Sequence, residues 1–181
     1  ITMGFIEKHP EKPWNWGRGG ISWNPHLTME MIEKHPDKPW YWRGISWNPN
    51  ITMDIIEKYP DKPWDWHEMS YNPKLTMEFI EKHPNKPWNW YMISSNPNIT
   101  IEFIEKYPNK PWQWGYYGIS CNKNITVEFI EKYPDKRWCW GVISSNPNLT
   151  IEFIEKHPDK PWDWCSISAN PNLTIEFIEK Y

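Results

Sequence analysis

The run Asp159-Lys160-Pro161-Trp162-Asp163-Trp164 is one copy of a Lys-Pro-Trp-x-Trp motif that returns seven times along the chain, once with Arg137 in place of the proline. The pairs are Trp14/Trp16, Trp40/Trp42, Trp64/Trp66, Trp88/Trp90, Trp112/Trp114, Trp138/Trp140 and Trp162/Trp164, which leaves only Trp23 and Trp47 outside the motif. A period of this kind overrides any estimate of domain number from length alone. The type unit is Asn146 to Ala169, NPNLTIEFIEKHPDKPWDWCSISA. Its threonine recurs at Thr2, Thr28, Thr52, Thr76, Thr100, Thr126, Thr150 and Thr174, with spacings of 26, 24, 24, 24, 26, 24 and 24 residues. The two long units carry their extra residues at one place, in Gly17-Arg18-Gly19-Gly20 and Gly115-Tyr116-Tyr117-Gly118, just after the second Trp. The sequence opens inside one repeat at Ile1-Thr2 and stops inside another at Lys180-Tyr181, so we expect a single array over 1–181 that is part of a longer one.

One helix per unit is plain. Thr150 is a good N-cap, since its hydroxyl can accept from an otherwise unpaired N–H of the first turn. Leu149 and Ile154 occupy the hydrophobic-staple positions around it. Glu152 suits the positive end of the helix and pairs with Lys156 four residues on. Pro158 ends the helix after about two turns. At about 100° per residue, Ile151, Phe153 and Ile154 fall on one arc and Glu152, Glu155 and Lys156 on the other. His157 lies within the apolar arc, and its position alternates between His and Tyr from His9 to Tyr181. An aromatic ring with a polar tip is required there.

A second segment is expected to start at Asp159 as N-cap, with Pro161 in its first turn. If it runs on as a helix, Trp164, Ile167 and Ser168 share a core face, and Trp162 points to the opposite side. The two-residue insertions conflict with a continuous helix, because they would turn the following Ile and Ser by about 200°. Asn170-Pro171 then breaks the segment. A 24-residue unit with one apolar arc cannot bury that arc alone, so neighbouring units must cover it. The expected fold is all-α: an α-solenoid of about seven 24-residue helix–turn–helix repeats.

Composition excludes several functions. There are 20 basic and 23 acidic residues, for a formal net charge of −3. That argues against a general nucleic-acid interface, which needs a basic face to release counterions. No apolar run approaches the ~20 residues of a membrane span, and no signal peptide opens the chain. Cys121, Cys139 and Cys165 occupy three different repeat positions, which is not a disulfide framework and contains no Cys-x-x-Cys spacing. A reducing interior is expected. The Asn-x-Thr triplets at Asn50, Asn98, Asn124, Asn148 and Asn172 are formal glycosylation sequons, but their phase assigns them to the start of the helix.

The run NPN-[I/L]-T-[M/I/V]-E-F-I-E-K-[H/Y]-P-D-K-P-W-x-W-x-x-I-S resembles the tandem repeats of mimivirus-like giant DNA viruses. The resemblance spans the whole chain and departs from the pattern at Gly4, Met69, Lys123 and Arg137. It implies a viral product inside a host cell or in the virion, not a secreted one. It supplies no activity and no catalytic residues.

The site candidates follow from the repetition. The histidines at His9, His35, His83 and His157 alternate with Tyr, as metal ligands would not. An active site is a unique constellation, whereas the same acids and bases recur here in every unit. No catalytic residue, cofactor or metal is therefore assigned. The most varied positions lie after the second Trp and after the Ser, and at the N-terminal end they hold Arg18, Trp23, Arg43, Trp47 and Tyr71. Large aromatic and Arg residues on a repeat surface are how such scaffolds present a contact patch. The first Trp of each pair is expected to pack in the seam between units, because seven exposed tryptophans in line would aggregate.

The leading expectation is a scaffold that binds another protein. Packed helices stand ~8–10 Å apart, close to three residues of extended peptide at ~3.1–3.5 Å each. The alternatives are self-association into a filament or particle and, third, a nucleic-acid-binding repeat whose rings stack bases.

Overall fold

The computed structural model describes residues 2–180. The chain divides into two compact units, Ile1–Asn89 and Trp90–Tyr181. Among the described residues every regular element is helical. Within each unit, successive repeats stack on one another, which is the arrangement of an α-solenoid.

The first helix of each repeat is short and closely repeated: Met29–Lys34, Met53–Lys58 and Met77–Lys82 in the first unit, and Ile101–Lys106, Val127–Lys132 and Ile151–Lys156 in the second. The expected threonine cap forms in most of them. Thr150 has extended backbone and its hydroxyl accepts from the N–H of Phe153 at 3.2 Å, as do Thr76, Thr100 and Thr126 from their own phenylalanines. Thr52 has the same backbone but makes no such bond. The helix stops at Lys156 because the residue before a proline is pushed out of the α region. His157 leaves the helix at φ −124, ψ 58, and its N–H closes the last turn on the carbonyls of Ile154 and Phe153. The apolar arc is buried as expected at Phe153 and Ile154, with Leu149 beneath it.

The second segment corrects the expectation. Asp159 is not a cap and Pro161 is not in a helix. Lys160 and Pro161 instead form a tight turn in which the N–H of Trp162 donates to the carbonyl of Lys160 at 2.8 Å. The fixed φ of proline suits this three-residue geometry. The same turn forms at Trp138 with Arg137 at its centre. The helix begins only at the second Trp, as Trp42–Trp47 and Trp66–Met69 in the first unit and Trp90–Ser94, Trp140–Ile143 and Trp164–Ser168 in the second. Its cap is the residue between the two tryptophans, so that the Asp65 carboxylate accepts from the N–H of Glu68 and that of Asp163 from Cys165.

In the two long repeats the helix is replaced by a turn and a short 3-10 segment, Ile21–Trp23 and Ile119–Cys121. The inserted loop returns the chain to register, because the N–H of Ile21 meets the carbonyl of Asn15 and that of Ile119 the carbonyl of Gln113, both at 2.7 Å. This close approach requires glycine. A Cβ on Gly20 or Gly118 would stand 1.9 Å from that same carbonyl oxygen. The insertion therefore adds two residues without rotating Ile and Ser out of the core.

The first Trp packs against the neighbouring repeat as expected, but it and not the second is the core residue. The first of each pair is the core residue, buried at Trp64, Trp88, Trp112, Trp138 and Trp162. Its indole N–H reaches back five residues to the carbonyl that ends the first helix, as Trp162 to His157 at 2.9 Å and Trp64 to Tyr59 at 2.9 Å. It thus caps a carbonyl that the short helix leaves unpaired. The second Trp is half-buried and lies in the seam. The edge of the next repeat's first Trp meets it, with ring centroids 5.0 Å apart for Trp42–Trp64 and 5.2 Å for Trp114–Trp138. A lysine of that next repeat covers it, with Lys86 4.6 Å from the Trp66 ring and Lys160 4.9 Å from Trp140.

Candidate functional site

The residues common to every repeat spend their polar groups inside the seams. Ser46 is fully buried, donates its hydroxyl to the carbonyl of Trp42 at 2.8 Å and accepts from the N–H of Asp65 in the next repeat at 2.8 Å. Ser70, Ser94, Ser120 and Ser144 make the same two bonds. The Asn that follows the repeat's Ser by two residues is buried at Asn48, Asn72, Asn96, Asn122 and Asn146. Asn72 accepts from the N–H of Lys74 and turns its amide toward the carbonyls of Ser46, Asn48 and Ile51 in the preceding repeat. The second Asn donates across the seam as well, Asn148 to Lys123 and Ile125, and Asn172 to Pro147 and Leu149. In these sequons the Asn amide ties neighbouring repeats together, and in most of them the Thr caps the helix. An extended peptide laid along the array would find the asparagines already used.

Carboxylates and lysines pair from repeat to repeat. Glu7 meets Lys34, Glu57 meets Lys82, Glu105 meets Lys132 and Glu131 meets Lys156, at 2.5 to 2.6 Å. The alternating His/Tyr position faces the same carboxylates, with His157 Nε2 3.5 Å from Glu131 and the Tyr133 hydroxyl 3.5 Å from Glu105. The polar tip expected of that aromatic therefore points at a neighbour's Glu. At three histidine seams a groove opens beside this cluster, of ≈ 460 Å³ at Glu7 and His35, ≈ 380 Å³ at Glu57 and His83 and ≈ 320 Å³ at Glu131 and His157. Nothing in the repeat pattern reports these grooves.

The hydrogen bond from Lys156 holds the Glu131 carboxyl below its ordinary value, partly opposed by burial and assisted by His157. A carboxyl lowered in the folded state contributes stability above its unfolded pKa and loses it as pH falls through the folded one. Glu131→Gln should therefore lower the melting temperature at pH 7. The gap from the parent should close as pH is brought down through the carboxylate range. Thermal melts followed by circular dichroism between pH 7 and pH 3 check this, and added salt should shrink the effect at pH 7.

The candidate contact residues lie in the first unit. Trp23 is half-buried, its ring 5.8 Å from that of Trp47 and 6.3 Å from that of Tyr41. It packs over Gly44, where a Cβ would come within 2.8 Å of its indole nitrogen. Arg43 is half-exposed and donates through Nε to Glu68 at 2.6 Å, with the Tyr41 hydroxyl also felt by its guanidinium. Tyr71 is 50 % exposed one repeat further on, at the position equivalent to Trp23 and Trp47. Arg18 is exposed in the Gly17–Gly20 turn, its carbonyl held by the Asn15 amide. Trp23, Trp47 and Arg43 are thus drawn into one patch, which also includes Tyr41 and Glu68, neither singled out by sequence. Arg18 and Tyr71 flank it in the chain. An open groove of ≈ 440 Å³ reaches Trp23 from the other side, lined by Ile6, Trp14 and Ile21 among others.

Among the described residues no three His, Cys, Asp or Glu side chains converge as metal ligands would, and no helix is long and apolar enough to cross a membrane. No protein-family model, curated protein or solved structure matches this chain.

Proposed function

We propose that the protein is a non-enzymatic repeat scaffold that binds another protein through the outward aromatic surface of its first unit. The observation that carries this reading is the division of labour within the repeat. The repeated Ser, Asn, Trp and Glu–Lys groups are committed to the seams, so the residues left to meet a partner are those that vary. In the first unit these are Trp23, Tyr41, Arg43, Trp47 and Tyr71, and the position that holds Trp23, Trp47 and Tyr71 there holds Ser95, Cys121, Ser145 and Ala169 in the second unit. Trp, Tyr and Arg are the residues that dominate binding energy at protein interfaces. Nucleic acid is disfavoured by the net charge of −3 and by the carboxylate already facing each of Lys34, Lys82, Lys132 and Lys156. A viral setting inside a host cell rests on the motif resemblance alone.

Self-association is the second reading, since repeats that stack on one another within each unit can add further copies in the same way. One experiment addresses both. Peptides selected from a displayed library on the full chain should bind it at least ~10-fold more tightly than a folded Trp47→Ala/Tyr71→Ala variant, each hot-spot ring being worth ~2 kcal/mol or more. Equal affinity for parent and variant would remove the patch from consideration. Sedimentation of the same samples across concentration should show one species, and a mass that grows with concentration would favour assembly instead.

A further inference from the structure

We propose that Cys121 and Cys139 form a dithiol across one seam of the second unit, a modification site that low-molecular-weight disulfides convert to an intramolecular Cys121–Cys139 disulfide. In sequence the two cysteines occupy different repeat positions and stand apart from any framework. The seam is what joins them. Cys121 follows Ser120, and the Ser120 hydroxyl accepts from the backbone N–H of Cys139 at 3.0 Å. The first unit contains the same seam with the same two-residue insertion. There Trp23 follows Ser22, whose hydroxyl accepts from the N–H of Tyr41 at 2.9 Å, and the Trp23 and Tyr41 rings face each other. The glycines that lead into the two 3-10 turns have matching backbones, φ −118, ψ −140 at Gly20 and φ −134, ψ −140 at Gly118. Cys121 and Cys139 therefore stand where two side chains are known to meet, with short thiols in place of large rings.

Further observations agree. Both cysteines are free thiols, Cys121 exposed and Cys139 half-buried, so a small reagent can reach the pair. The Cys121 thiol donates to the carbonyl of Tyr116, which holds it in one rotamer at the base of the inserted turn. Burial raises its pKa, with Cys139 as a second, electrostatic cause. Cys165, exposed and alone in its seam, is the internal control.

The chemistry balances through ordinary exchange. One protein thiolate attacks a sulfur of the small disulfide, forming a mixed disulfide and expelling one small thiolate. The second protein thiolate then attacks the protein sulfur of that bond and expels the other small thiolate. The two cysteines are oxidised by two electrons, and the small disulfide is reduced to two thiols. The product ties the 3-10 turn Ile119–Cys121 to the cap of the helix Trp140–Ile143 and so fastens one seam covalently.

The test uses the full chain, reduced and then equilibrated with oxidised and reduced glutathione at pH 8. Remaining thiols are alkylated, and the protein is read by intact mass and peptide mapping. The expected product has lost two alkylatable thiols, carries a 121–139 linked peptide and keeps Cys165 alkylated or glutathionylated. Cys165→Ser should behave identically, and Cys139→Ser should stop at a glutathione adduct on Cys121. The effective concentration of the pair, from the glutathione dependence, should be at least ~10-fold higher in the folded chain than in urea. Equal effective concentrations folded and unfolded, or links only between chains, would overturn the assignment.

Discussion

Trp138→Ala should destabilise the second unit by about 3–5 kcal/mol, the range for removing a buried aromatic ring. Trp140→Ala, at the second Trp of the same pair, should cost less. The motif gives both residues the same letter, but the fold gives them different work. Trp138 is 7 % exposed, packs edge-on against Trp114 and Phe129, and donates its indole N–H to the carbonyl of Tyr133 at 2.9 Å. Its removal leaves a cavity and takes away one of the two hydrogen bonds to that carbonyl, the other coming from the N–H of Lys136. Trp140 is half-buried, stacks on Phe153 and meets the edge of Trp162, so truncation removes less that was hidden from water. Because repeat proteins couple mainly to nearest neighbours, the loss should also be local. Native-state hydrogen exchange should show faster opening in the repeats that flank Trp138 and little change in the first unit. A uniform small loss from both substitutions would mean that the first Trp does not hold the seam.

The burial of the first Trp rather than the second shows what a repeat pattern can and cannot specify. The first helix was legible because its signals are local: a Thr cap, a 3.6-residue apolar arc and a proline stop. The second was misplaced because Asp159, Lys160 and Pro161 also fit the start of a helix. What decides against it is non-local. The indole of Trp162 must fold back to the His157 carbonyl, and the N–H of Asp163 must meet Ser144 from the preceding repeat. The second of these bonds joins two repeats, so no window within one unit contains it. The Gly-bearing insertions signal that the helix does not run through. Their resolution lay in a backbone approach at Gly20 and Gly118 that composition alone does not reveal. The contact patch was more readable than the seams, because variability against a fixed period is itself a sequence property. Its limits were not: Tyr41 and Glu68 join Trp23, Trp47 and Arg43 only through stacking and a salt bridge between repeats.

Asn72→Asp should destabilise the first unit by about 3–5 kcal/mol at neutral pH, the scale of a buried charge left without a partner. It should also make stability depend on pH in a sense opposite to that of Glu131. The Asn72 side chain is fully buried, its Oδ1 2.8 Å from the N–H of Lys74 and its amide nitrogen 3.0 to 3.2 Å from three carbonyl oxygens. A carboxylate keeps the first bond but turns an oxygen toward the three carbonyls, where only a donor is stable. Burial and the carbonyl dipoles both disfavour the ionised form, so the folded pKa of the new Asp rises above the unfolded value. The neutral acid can still donate an O–H to one carbonyl, so below about pH 4 the variant should lie close to Asn72→Ala, whose loss of about 1–3 kcal/mol reflects unpaired polar groups and is flat in pH. Above that pH the unfolded chain ionises first. Stability should then fall by about 1.4 kcal/mol per pH unit until the folded pKa is reached. Urea unfolding of both variants between pH 4 and pH 8 separates these behaviours. If Asn72→Asp is as flat as Asn72→Ala, the asparagine ladder does not carry the seam.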